Sequence, residues 1–223
     1  MTRYTFKGLT MLKKIKNMKK IFVFTLVFVN LFLTAQTYHF DVMIKYGYKQ
    51  NSIYNEIITY GNTNDDNISL IIFKNNDLWA DLRDLKNKML YHFSVVENIT
   101  NQGIMFDFTY KNSHEIDISG YSKKMAYDFA ELKKDSIFNI IVYKNKKKVK
   151  VKANMIFKIQ KHESKLFHLF QSDFYHKYSA FDCNFIDFPF IVTSTQFTED
   201  KKLLETSKLV HYKNVDFDIT IPK

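Results

Sequence analysis

Seven histidines, one cysteine and 23 acidic residues are the groups in this chain most able to carry chemistry, and their spacing argues against a preformed active site. His162, His168 and His176 fall close together, with Asp173 three residues before His176. A shared metal ion needs converging ligands, and His168 and His176 are too far apart along one helix to meet on it. They read as surface histidines beside an amphipathic face. Cys183 has no histidine fixed near it by sequence, so it reads as an inert buried thiol. The pairs Asp65-Asp66 and Glu199-Asp200 sit in turn-like text, where nothing drives their pKa values apart. No phosphate-cradling glycine loop, His-Glu-x-x-His pair or Gly-x-Ser-x-Gly elbow occurs. A hydrolase would need the fold to bring His92, His114 or His211 to a carboxylate. No catalytic residue, cofactor or metal is therefore expected, and the enzyme reading ranks third.

The elements that would position such groups begin after an export-type leader. Met18-Lys19-Lys20 precedes an apolar run over residues 21–36, relieved by Thr25, Asn30 and Thr34, with Leu33-Thr34-Ala35 as a small-residue cleavage site. The expectation is a cleaved signal peptide within residues 1–35, translation starting at Met18, and a single β-rich domain over 36–223. No cysteine lies near Ala35, so a lipid-modified N-terminus is not expected. Residues 1–35 hold seven of the 33 basic residues and no acid, leaving 26 basic against 23 acidic. The net charge of +10 thus falls to +3, and a nucleic-acid partner is not expected. The protein is placed in the periplasm or outside the cell, with no integral membrane span after cleavage. A lone thiol forms no intramolecular disulfide, so apolar burial must stabilise the fold.

Period-two alternation dominates the remainder, as half-buried strands require. Phe40, Val42, Ile44, Tyr46 and Tyr48 are assigned to one face; Ile68, Leu70 and Ile72 follow, then Met89, Tyr91, Phe93 and Val95, then Ile104, Phe106, Phe108 and Tyr110. A hairpin turns at 143–148, entered by Phe138, Ile140 and Val142 and left by Val149, Val151, Ala153, Met155 and Phe157. Its lysines Lys146, Lys147, Lys148, Lys150 and Lys152 read as a solvated turn that discourages edge pairing. Leu166, Leu169, Phe170, Phe174 and Tyr178 break the rhythm at helical spacing, which predicts a helix over about 162–178. Strand-like text resumes at 190–197, turns at 198–202, and ends at 217–221. The fold class expected is mainly β: an antiparallel meander forming a curved sheet or half-barrel with one main helix.

An aromatic face built from Phe40, Tyr46, Tyr91, Phe93, Phe106 and Phe108 is either packed core or the wall of an apolar cavity. The preferred function is a non-catalytic periplasmic binding module for an apolar or envelope-derived ligand such as a lipid, using those six residues. The alternative is a structural envelope protein that binds a protein partner.

Asp135-Ser136-Ile137 resembles the short Asp-Ser/Thr-aliphatic O-glycosylation acceptor of Bacteroidota periplasmic proteins, and a turn before the next strand explains it equally well. Residues 187–192, Asp-Phe-Pro-Phe-Ile-Val, are similar to the Gly-Leu-Pro-Gly-Leu-Ile turn of the GLPGLI family, with Asp187 and Phe190 at the glycine positions. That resemblance covers about the last 35 residues and implies a small exported Bacteroidota protein whose final strands follow the turn. More loosely, the meander plus helix resembles the half-barrel of LolA- and LolB-type carriers, which implies an acyl-binding concave face.

Overall fold

The computed structural model describes residues 35–50, 52–74, 77–101, 103–116, 126–170, 186 and 188–222. The expected leader, Asp173, His176, Cys183 and Asp187 lie outside the described residues. Eleven strands form one antiparallel sheet: β1 (Gln36–Gln50), β2 (Ile53–Asn62), β3 (Asp65–Lys74), β4 (Leu78–Asp84), β5 (Met89–Thr100), β6 (Gly103–Glu115), β7 (Ala126–Lys133), β8 (Ile137–Tyr143), β9 (Val151–Lys161), β10 (Phe190–Glu199) and β11 (Lys202–Ile221). Their order is β6-β5-β4-β3-β2-β1-β11-β10-β9-β8-β7. Two antiparallel meanders, β1–β6 and β7–β11, therefore join along β1 and β11, and β6 and β7 are the sheet's edges. Among the described residues no helix is long and apolar enough to cross a membrane.

The chain divides into two compact units. The described part of one is residues 35–37 with 219–222, where the Thr37 and Thr220 hydroxyls lie 3.2 Å apart. The other is the main body, Tyr38–Asp218, to which the rest of this description applies.

The two meanders bury opposite sides of the sheet. Directly paired residues on neighbouring antiparallel strands point the same way, so the register identifies each side. Met43 pairs with Tyr60, Tyr60 with Leu70, Leu70 with Leu82 and Leu82 with Tyr91, all buried. Phe217 stacks on Phe40 at 5.2 Å and takes Tyr60 edge-on at 5.0 Å, which puts Phe40 on that side too. Phe108 of β6 also lies parallel to Phe217 of β11, their ring centroids 6.3 Å apart. At about 4.8 Å per strand, a flat sheet would hold β6 and β11 roughly 29 Å apart. This half of the sheet must curl on itself.

The second core lies on the other side. Val42 pairs with Gly61, against which Leu169 packs, and Val42, Ile44, Tyr46 and Tyr48 join one buried cluster with Leu166, Leu169 and Phe170. Phe138, Ile140 and Val142 of β8, Ala153, Met155 and Phe157 of β9, and Val192 and Phe197 of β10 complete it. The assignment of Phe40 to the face of Val42–Tyr48 is thus corrected: the alternation slips between Phe40 and Met43. The run Val42-Met43-Ile44, buried at every position, marks the crossover.

The helix expected over 162–178 is corrected for its described part. Residues 162–170 contain a single 3₁₀ turn, Phe167–Leu169. The reason is where the amides go: His162 N donates to Pro189 O at 3.1 Å and Leu166 N to Phe190 O at 3.2 Å. These bonds tie the segment to the approach of β10 and withhold the amides from an i−4 ladder. Leu166, Leu169 and Phe170 are nonetheless fully buried, so their spacing did report one inward-facing side.

Candidate functional site

Four of the six aromatic residues expected to line a ligand face are divided between the two cores. Phe40, Tyr91 and Phe93 belong to the β1–β6 core and Tyr46 to the opposite one, with exposures of 7% or less. Phe106 and Phe108 are half-buried on edge strand β6. Tyr91 meets Tyr38 at 5.8 Å, Phe93 meets Phe108 at 6.2 Å and Tyr46 meets Phe170 at 5.1 Å. The Tyr46 hydroxyl donates to Val192 O at 2.7 Å, and burial pushes its pKa well up.

Open concavity occurs where polar groups gather. A groove of about 830 Å³ is lined by Asp41, Thr63, Lys161, His162, Glu163, Ser164, Tyr212, Asn214 and Val215. Each is placed by a neighbouring element. Asp41 leaves β1 at the slip in alternation and accepts from Thr63 N at 2.8 Å and Thr63 Oγ1 at 2.6 Å, which pins the β2–β3 turn. The turn after β9 carries His162–Ser164 under the Pro189 bond, and Ser164 N donates to His162 Nδ1 at 3.1 Å. That bond makes Nδ1 an acceptor and leaves Nε2 as the nitrogen that can carry a proton. β11 supplies Tyr212, which meets the His162 ring edge-on at 5.0 Å and donates its hydroxyl to Asn214 Oδ1 at 3.2 Å. Burial, with Glu163 and Asp41 nearby, raises the Tyr212 pKa, so its phenol stays neutral and able to donate. Lys161 is held at one end by Asp135 at 3.1 Å, its ammonium 4.8 Å from the Phe188 ring centre. The wall therefore offers hydroxyls, an amide, an imidazole, one cation and two carboxylates beside one tyrosine.

A second groove, of about 740 Å³, lies across β1, β2, β9, β10 and β11, where Lys49, Lys158 and Lys208 are exposed. The lysine-rich hairpin tip is partly neutralised: Lys148 pairs with Asp128, and Lys152 with Glu199 and Asp200 at 2.9 Å each. Asp135-Ser136-Ile137 forms the β7–β8 turn, Asp135 at φ 54° and Ser136 N bonded to Lys133 O at 3.1 Å.

Of the histidines named as hydrolase candidates, His92 and His114 come together and His211 stands exposed on β11. His92 Nδ1 is 2.5 Å from Asp81 Oδ1, and His92 Nε2 is 3.2 Å from His114 Nδ1. Burial raises the Asp81 pKa, while His92, Arg83 and His114 pull it back. Asp81 went unnoticed in the sequence. The clue was the turn at 85–88: pairing Asp84 with Met89 across it sets Asp81 opposite His92. Among the histidines near the expected helix, His162 lies in the first groove. His168 sits on the 3₁₀ turn, half-buried, its pKa lowered by that burial.

No family model and no curated protein matches the chain. Among solved structures, the structure of PNGF-II in the C2 space group aligns with 9% identity and a TM-score of 0.36 over 79% of this chain. The aligned region spans 28% of that protein's length.

Proposed function

We propose that this chain is an exported, non-catalytic binding module of the cell envelope, whose groove at Asp41, His162 and Tyr212 takes a hydroxyl-rich, envelope-derived ligand such as a saccharide. The observation that carries the reading is the lining of that 830 Å³ groove, polar and of mixed charge around one tyrosine ring. Such a wall satisfies many hydroxyls at once, and its tyrosine can cover the apolar face of a ring. The six predicted aromatics lend less support to a lipid, because packing already occupies Phe40, Tyr46, Tyr91 and Phe93. Export rests on the apolar run after Met18-Lys19-Lys20 and on the similarity of residues 187–192 to a turn of small exported proteins.

A ligand-observed NMR screen of the purified protein against envelope saccharides, short peptides and phospholipid micelles tests this. Saccharide binding that weakens at least tenfold in Tyr212→Ala and Asn214→Ala is expected. Binding confined to lipid, or saccharide binding indifferent to both substitutions, overturns the reading.

One observation favours a partner-binding role instead. The β5–β6 hairpin exposes Val96, Ile99, Ile104 and Met105, with Ile99 84% exposed and directly paired with Ile104. Adjacent exposed aliphatics of this kind often mark protein contacts.

A further inference from the structure

The side of β4–β6 that carries Asp81, His92 and His114 is separate from the groove, and its geometry has a chemistry of its own. Asp81 and His92 are directly paired across β4 and β5, and His114 of β6 pairs with Leu90, one diagonal step from His92. Three adjacent strands therefore present the three side chains in a row on one side of the sheet.

The distances fit a metal-binding pair supported by a carboxylate. Two nitrogens bound to one tetrahedral ion at about 2.0–2.1 Å lie roughly 3.3 Å apart. His92 Nε2 and His114 Nδ1 are 3.2 Å apart. Their ring centroids are only 4.9 Å apart and the planes are tilted by 31°. That is closer than two imidazoles meeting end to end, so the nitrogens approach at an angle, as two ligands of one ion do. Behind them, the Asp81 carboxylate holds His92 Nδ1 at 2.5 Å. It fixes the proton on Nδ1 and leaves the Nε2 lone pair for an ion, the arrangement by which carboxylates orient metal-binding histidines. Asp81 is buried at 6% exposure whereas His114 is exposed, so the support is rigid and the entrance open.

We propose that His92 Nε2 and His114 Nδ1 form a two-imidazole site for a divalent transition ion of the zinc or copper class, with Asp81 as its positioning residue. Among the described residues no third histidine, cysteine, aspartate or glutamate completes the set. Water or an exogenous donor fills the remaining coordination positions, which makes the site one of exchangeable capture. Imidazole donors select zinc, nickel and copper over magnesium and calcium, and copper(II) binds more tightly than zinc.

The test is calorimetric titration of the full chain with zinc chloride, copper sulfate and magnesium chloride, with histidine NMR signals followed in parallel. Saturable zinc binding that broadens or shifts His92 and His114, tighter binding of copper, and none of magnesium are expected. His92→Ala and His114→Ala each weaken zinc at least tenfold. His211→Ala leaves it unchanged. Asp81→Asn weakens it by about 10–100-fold at the same stoichiometry, the scale set by loss of an outer partner. His114→Gln, on an exposed edge-strand position, serves as the folded control, with far-UV circular dichroism as the check. Zinc affinity equal in wild type and His114→Gln, or no saturable binding at millimolar zinc, overturns the proposal.

Discussion

A Cβ placed on Gly61 would lie 2.4 Å from Leu169 Cδ2, closer than two carbon atoms can approach. Leu169 belongs to the 3₁₀ turn and is fully buried, while Gly61 lies on β2 opposite Val42. The missing side chain is what lets residues 166–170 lie flat on the sheet. The contact joins the 3₁₀ segment of the second core to the β1–β2 pair.

Gly61→Ala should accordingly destabilise the fold by about 1–3 kcal/mol, the usual range for overpacking. In a Leu169→Ala background the same methyl enters space already vacated, and its cost should largely vanish. Urea denaturation of the two single variants and the double variant measures this coupling. Additive effects would mean that the turn yields around the methyl.

Tyr46 contributes in two ways that can be separated. Its ring meets Phe170 edge-on at 5.1 Å, and its hydroxyl donates to Val192 O at 2.7 Å. The carbonyl sits where the β9–β10 register shifts between Val192 and Ser194. Tyr46→Phe removes only the hydrogen bond and should cost about 1–2 kcal/mol. Tyr46→Ala also removes the ring and should cost about 3–5 kcal/mol. Equal losses in chemical denaturation would assign the whole effect to the hydrogen bond.

How far the sequence reached depends on whether a feature is local. The β8–β9 hairpin was legible because Phe138, Ile140, Val142, Ala153, Met155 and Phe157 alternate without interruption and all face one core. β1 misled because a period-two reading assumes an unbroken pleat, and one slip near Val42 sends Phe40 and Tyr46 to opposite sides. For 162–170 the spacing of Leu166, Leu169 and Phe170 disclosed burial but not backbone bonding. The amide partners, Pro189 and Phe190, are more than 20 residues away in sequence. The same holds for the groove: Asp41, His162 and Tyr212 share no local pattern, and only the pairing of distant strands brings them together.

Alkaline pH should unfold this protein through its buried tyrosines. Burial pushes the Tyr60 pKa up to about 12 and those of Tyr38 and Tyr46 further. Unfolded tyrosines ionise near about 10, so below that pH both states keep the proton and these groups add no pH dependence. Above it the unfolded chain releases protons first, and stability falls as pH rises. For Tyr60 the loss develops between the unfolded value and about 12. Urea midpoints between pH 9 and pH 11 should decline in the wild type and decline less steeply in Tyr60→Phe. Parallel declines would place the titration on other groups.

The β10–β11 turn holds strain that one substitution should release. Glu199 pairs with Lys202, so Asp200 and Lys201 are the whole two-residue loop, at φ 45° and 68°. Both residues in the left-handed region is the signature of a type I′ turn, which matches strand twist and prefers Asn-Gly or Asp-Gly. Asp200 suits its place and is held by Lys152 at 2.9 Å and Lys144 at 3.5 Å. Lys201 has a Cβ that crowds its own backbone in this conformation. Lys201→Gly removes that crowding, and although glycine adds freedom to the unfolded chain, the relief at a positive φ should prevail by about 0.5–1 kcal/mol. Lys201→Val, β-branched at the same position, should destabilise by a larger amount. Opposite shifts of the two urea midpoints are therefore expected, because the two residues are ranked by backbone conformation alone and Lys201 is exposed. Shifts in the same direction would show that the hairpin adopts another turn in solution.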